Sequence, residues 1–140
     1  MNAAPSGSTI RVAAGIYLEM IDINAKTLVI EGGYDSTCAT VDPNAITQLD
    51  ATGLVGSVVD VTSAAVVTLR NLRLTGGTSF GAGIDLLGAS AITLDNTDIF
   101  GNNGSSGAGL YIGSTSVLTY TNDSDIYDNI SSGDGGGAIV

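Results

Sequence analysis

Tryptophan and histidine are absent, proline occurs twice, cysteine once, and the 4 basic residues face 14 acidic ones. Each shortage closes a route. Without histidine the chain lacks the usual general base near neutral pH and the commonest zinc ligand. A single thiol, Cys38, forms no intrachain disulfide, and its expected role is that of a buried structural cysteine. A formal net charge of −10 repels phosphate backbones and anionic lipid surfaces, so no nucleic acid is expected as a partner. The same surface suits solubility, carbohydrate contact or divalent cations. No apolar run reaches the ~20 residues of a bilayer span, so no membrane insertion by this segment is expected. Met1 to Ser8 shows neither the basic start nor the apolar stretch of a signal peptide. Aromatic residues make up only 5%, so a core has to come from Val, Ile, Leu and Ala.

What is present is glycine, 20 of 140 residues, within a chain that is 44% hydrophobic. Glycine excess with little proline points to many tight turns rather than a flexible linker. The turns recur. Val61, Leu86 and Ile112 form one nearly evenly spaced series, with steps of 25 and 26, and Leu69, Leu94 and Tyr120 form a second with the same steps. Asn71, Asn96 and Asn122 form a third, and Leu74, Ile99 and Ile126 a fourth whose last step is one residue longer. Each unit holds three short runs of alternating apolar and polar residues, the signature of half-buried strands. Three strands per unit, each too short to build a sheet alone, predict a three-faced coil whose stacked turns share one interior column. The expected fold is therefore an all-β, three-faced β-solenoid of parallel strands, about five coils of roughly 25 residues each.

The whole chain, 1–140, reads as a single solenoid domain, with irregular coils over 1–57, regular coils over 58–140 and no helix of useful length. Ile10-Arg11-Val12, Ile21-Asp22-Ile23, Leu28-Val29-Ile30 and Thr47-Gln48-Leu49 alternate and supply two earlier coils. A loop insertion over 31–46 interrupts them, with Gly32-Gly33 and Asp42-Pro43 as turn signals. Asn71, Asn96 and Asn122 fall between the second and third strands of their units, where a bend needs left-handed backbone. Their amides, stacked at strand spacing, are expected to bond along the column as a structural ladder.

The run Ile10-Arg11-Val12-Ala13-Ala14-Gly15-Ile16-Tyr17-Leu18-Glu19 resembles the opening coil of right-handed parallel β-helix proteins, the pectin-lyase-like class that includes pectin esterases and lyases. Gly136-Gly137-Ala138-Ile139 and Phe100-Gly101-Asn102-Asn103 resemble the tetrapeptides of polymorphic outer-membrane protein repeats in bacterial autotransporter passengers. Gly81-Ala82-Gly83-Ile84 and Gly107-Ala108-Gly109-Leu110 are near relatives of the first, and have a plain structural meaning, close coil packing at the entry to a strand. The resemblance implies a right-handed β-helix and an extracellular or bacterial cell-surface location. It implies no single function, because that fold carries lyases, hydrolases, esterases and adhesins alike.

The polar positions hold the candidate chemistry. Asp60 and Asp85 share a column with Tyr111, and Asp95 and Asp98 flank a bend; alternation places all four outward. Glycoside hydrolysis needs two carboxylates at a defined separation, and no residue set here is assigned as catalytic. The paired Asp and Gln motifs of the esterases are not evident, and Arg70 and Arg73, the only basic residues on the regular coils, lie in no evident acidic cleft. Thr68, Thr93 and Thr119 form an outward column, but the column two residues on is Arg70, Asp95 and Thr121, which is not the uniform surface of an ice-binding solenoid. The densest oxygen cluster is 122–129, where Asp123, Asp125 and Asp128 are candidate calcium ligands in a loop without EF-hand spacing or the nonapeptide repeat of calcium-loaded solenoids. The alternative is an acidic turn. No other cofactor is expected.

By the repeat register Leu110 is expected to align with Ile139, so that the sequence closes on the first strand of a fresh coil without a C-terminal cap. The expected role is a non-catalytic, structural or adhesive segment of a secreted or surface-displayed bacterial protein. Its expected partners are carbohydrate, another protein, or further copies stacked end to end as a filament. The alternative is a fragment of a carbohydrate-active enzyme.

Overall fold

A computed structural model describes residues 4–42 and 44–140. Met1 and Pro43, on which part of the N-terminal reading and one turn signal rest, lie outside the described residues. Among the described residues there is no helix, and the chain makes five passes through short strands. The first pass holds β1 (Ser8–Ala13), β2 (Gly15–Tyr17) and β3 (Ile21–Asn24), and the second β4 (Thr27–Tyr34), β5 (Thr47–Asp50) and β6 (Val59–Thr62). The third holds β7 (Val66–Arg70), β8 (Leu72–Thr75) and β9 (Ile84–Leu86). The fourth holds β10 (Ala91–Asp95), β11 (Asp98–Phe100), β12 (Asn103–Gly104) and β13 (Leu110–Ile112). The fifth holds β14 (Val117–Thr121), β15 (Ile126–Tyr127), β16 (Ile130–Ser131) and β17 (Ala138–Ile139).

Each pass contributes one strand to each of three five-stranded sheets, ordered β1-β4-β7-β10-β14, β2-β5-β8-β11-β15 and β3-β6-β9-β13-β17, while β12 and β16 pair separately. All pairings between these strands are parallel. This is the arrangement of a parallel β-solenoid. Alternation decides which side chains meet inside: Ile30, Leu69 and Leu94 stack from the first sheet, Leu49, Leu74 and Ile99 from the second, and Val61, Leu86 and Ile112 from the third. The interior is aliphatic, each such side chain contributing about 1.5–3 kcal/mol on burial. The periodic columns read from the sequence therefore coincide with the ladder registers.

Two boundaries differ from the sequence reading. Strand β4 continues through Gly32-Gly33 to Tyr34, with a one-residue register shift against β1 at those glycines, so the loop begins after Tyr34 rather than at Glu31. Glu31 is needed in the ladder opposite Arg70, and Gly32 passes so close to the next pass that a Cβ would lie 2.5 Å from the Asn71 carbonyl oxygen. The loop is organised by Asp35, whose carboxylate accepts hydrogen bonds from the backbone N–H groups of Thr37 and Ala39. Cys38 lies in that turn with φ 55° and is half-buried rather than fully buried, because the loop stands outside the aliphatic column.

The second difference is in the last pass. Leu110 pairs with Ala138, and Ile139 stands opposite Tyr111. The register is one residue off the tetrapeptide alignment because Gly135, with φ 63°, occupies the left-handed position held by Gly107 (φ 56°) one pass earlier. Ile139 therefore stands on the outer face.

Candidate functional site

The corner between the first and second sheets is built by asparagine. Asn71, Asn96 and Asn122 have φ of 54°, 48° and 52°, the left-handed conformation that their short amide side chains tolerate. Asn96 Nδ2 donates to Asn71 Oδ1 at 2.9 Å, as a ladder requires. At the next step the ladder changes partner: Asn122 Nδ2 donates to the Asp95 carboxylate instead. Asp95 also accepts from Arg70 Nε at 2.6 Å, and Arg70 Nη1 reaches Glu31 Oε1 at 3.3 Å. The Arg70 guanidinium, then Asn122, hold the Asp95 carboxyl below the ordinary carboxylate range. Arg73 pairs with Asp98 at 3.5 Å on the adjoining sheet. Arg70 thus lies between two carboxylates, a contact invisible from the regular repeat because the long second pass separates Glu31 from it in sequence.

Between this corner and the 44–46 end of the loop lies a groove of about 290 Å³. Asn44, Asn71, Asn96, Arg73 and Asp98 line it with polar groups. Two residues beyond Asp98 on the same outward side of β11, Phe100 stacks on Tyr127 with ring centroids 5.3 Å apart and planes 6° from parallel. Tyr127 is 42% exposed. An amide-, guanidinium- and carboxylate-lined groove thus runs beside an aromatic pair whose Tyr127 is exposed and whose Phe100 is half-buried.

The third sheet carries a different column. Asp22, Asp60, Asp85 and Tyr111 are register partners in successive strands, about 4.8 Å apart per step. They point outward as alternation demands, yet Asp60 and Asp85 are half-buried, because the turns before β6 and β9 fold over them. Burial, then the neighbouring Asp60 charge, raises the Asp85 carboxyl from 3.8 to about 6. Burial raises Asp60 as well, with Asp22 adding to it and a hydrogen bond from Ser57 opposing. One Asp85 oxygen, Oδ1, is enclosed without a hydrogen-bond partner. Sequence reasoning misses Asp22 as a member of this column. Its signal is the alternation Ile21-Asp22-Ile23, set one repeat plus the loop before Val59-Asp60-Val61.

The expected calcium ligands do not converge. Asp123, Asp125 and Asp128 are all exposed, and among the described residues no group of three His, Cys, Asp or Glu side chains is arranged to hold a metal ion. Asp128 has a structural role in the backbone: with φ 52° it fills the turn position that Gly101 (φ 63°) fills one pass earlier. The asparagines following these turns matter more. Asn102 is buried; its Nδ2 donates to Asn129 Oδ1 at 2.9 Å and its Oδ1 accepts from Gly77 N–H at 2.9 Å. Asn103, which completes the tetrapeptide, is exposed.

No protein-family model, curated protein or solved structure matches the chain. The functional reading therefore rests on the groove, the aromatic pair and the acidic column.

The acidic column makes stability pH-dependent with a definite sign. Between about pH 4 and 6 the folded chain holds a proton at Asp85 that the unfolded chain has released, so stability falls as pH rises through that window. Asp95 acts oppositely: its depressed value contributes stability that is lost only as pH drops below the ordinary carboxylate range. The urea midpoint should be lower at about pH 7 than at about pH 4.5, and Asp85→Asn should shrink that difference. An unchanged difference in the variant would remove Asp85 as its source.

Proposed function

We propose that this chain is a non-catalytic segment of a right-handed, three-faced β-helix, part of a secreted or surface-displayed bacterial protein, and that its second sheet presents a face to carbohydrate. The observation that carries this reading is the stacked Phe100–Tyr127 pair beside the polar groove. Sugars offer apolar C–H faces to aromatic rings and hydroxyls to amides, guanidinium groups and carboxylates, and this face holds both chemistries side by side. The non-catalytic part is supported by the engagement of the flanking charges: Arg70 with Glu31 and Asp95, and Arg73 with Asp98.

Affinity electrophoresis through gels carrying neutral or acidic polysaccharide tests the proposal. At least one polysaccharide should retard the chain, and Phe100→Ala with Tyr127→Ala should weaken retardation on the order of tenfold, since an aromatic contact is worth about 0.5–1.5 kcal/mol beyond its buried area. Both residues point away from the aliphatic column, so the variant keeps Ile99 and its packing. Retardation unaltered in the double variant would sink the proposal.

A second reading, a carbohydrate-active enzyme, is favoured by one observation, the adjacent Asp60 and Asp85 carboxyls with raised values. Reducing-sugar release that disappears in Asp85→Asn would replace the binding reading with this one.

A further inference from the structure

The turn before β9 is a strap seated on the acidic column. It starts and ends on left-handed glycines, Gly76 at φ 80° and Gly81 at φ 60°. At Gly81 an added Cβ would lie 3.0 Å from the Asp85 Cα and Cβ, so the strap rests directly on that residue. Ser79 Oγ is 2.9 Å from Ser57 Oγ, and the Phe80 carbonyl accepts from Ser57 Oγ at 3.3 Å. The Phe80 ring meets Tyr111 edge-on, with centroids 4.4 Å apart. The strap therefore bridges the neighbours of Asp85 on both sides, Ser57 one pass below and Tyr111 one pass above.

The groups facing Asp85 offer no positive charge. Asp60 on β6 is its neighbour, Asp22 on β3 stands beyond, Tyr111 on β13 lies on the other side, and the strap contributes hydroxyls and a phenyl ring. The four basic residues are engaged elsewhere: Arg11 over the Tyr34 ring, Lys26 on the Ala4 carbonyl, Arg70 and Arg73 in their ion pairs. Two ionised carboxylates on adjacent rungs, one with an enclosed and unpartnered oxygen, repel each other and lack solvation.

We propose that the Asp60–Asp85 pair is a proton-operated latch: while the pair retains one proton the strap stays seated with Phe80 against Tyr111, and release of that proton to solvent lifts Phe80 away. The doubly ionised column recruits water, and the strap, hinged at Gly76 and Gly81, makes room for it. The elevated Asp85 value sets the transition near pH 6. This inference is independent of the glycan face, which lies on a different sheet.

The chain contains no tryptophan, so Phe80→Trp installs a single reporter on the strap. Emission and acrylamide quenching of the full chain are followed from about pH 4.5 to 8. The expected result is one transition near pH 6, with quenching rising at least twofold above it while the far-ultraviolet dichroism stays native. Asp85→Asn in the same background should abolish the transition; Asp123→Asn with Asp125→Asn should leave it. A flat profile, or a transition that survives Asp85→Asn, overturns the proposal. Should the tryptophan variant not fold, hydrogen exchange of the native chain answers the question. Protection of 76–82, referenced to 91–95 on the first sheet, should drop severalfold between about pH 5 and 7.5, and not in Asp85→Asn; an unchanged ratio overturns the latch.

Discussion

Gly83→Ala is expected to destabilise the chain by about 3 kcal/mol, lowering its thermal midpoint by roughly 10 °C. The backbone angles at Gly83 are ordinary, so the effect is one of space. A Cβ there would stand 2.2 Å from the Gly109 carbonyl oxygen and 2.4 Å from Ile99 Cγ2. Neither can retreat: Gly109 is fixed by Ile84 N–H, which donates to that same oxygen at 3.0 Å, and Ile99 is a fully buried core residue. Gly109 repeats the arrangement, its own Cβ position lying 2.3 Å from the Gly137 oxygen. Gly137 supplies the control. Nothing lies within 4 Å of a Cβ built there, so Gly137→Ala should change stability by less than about 0.5 kcal/mol. Equal effects at the two positions, read by urea denaturation, would refute the steric account of the glycine tetrapeptides.

Asn102→Ala is expected to cost about 2–4 kcal/mol. Its side chain accepts from Gly77 N–H and donates to the Leu74 carbonyl at 3.3 Å and to Asn129 Oδ1 at 2.9 Å. Alanine leaves the Gly77 donor buried without that acceptor, and an unmet buried group costs about 1–3 kcal/mol. Asn102→Asp should be no better, because a carboxylate restores the acceptor for Gly77 but places a second oxygen where Nδ2 faced the Leu74, Phe100 and Asn129 oxygens. A double-mutant cycle with Asn129→Ala isolates the amide–amide contact. Coupling near zero would show that the two amides act independently.

The third pass, the fourth and the start of the fifth were legible because each position there recurs at a nearly constant interval, so Leu69, Leu94 and Tyr120, which share one column, announce one another. The second pass was harder, since its loop lengthens the interval that separates Glu31 from Arg70 and Asp22 from Asp60. Glu31 and Asp22 are the residues whose absence from the sequence reading hid the Arg70 ladder and the full acidic column. Asn102 was hidden differently. Periodicity reports which residues recur, but not whether a polar one at a turn faces inward, and the tetrapeptide drew attention to its exposed neighbour Asn103. Asp128 is ambiguous for a related reason: an aspartate at a turn offers a metal oxygen and equally tolerates left-handed backbone. Its φ of 52° shows the backbone role.

The interval between equivalent residues drifts along the stack. It lengthens from the Val59–Ile84 step to the Ile84–Leu110 step, and again to the Leu110–Ala138 step, while strand partners stay in register. Over these three steps the slack is taken up in turns. Length is thus free at the corners and constrained within strands, where one extra residue exchanges the inner and outer faces unless a bulge absorbs it, as at Gly32-Gly33. The architecture works like a line of verse whose pauses stretch while its metre holds. Insertions at corners can lengthen a surface loop, as the 35–46 loop does, without disturbing the passes on either side. Such a chain can acquire new surface at its turns while its interior keeps the same aliphatic column.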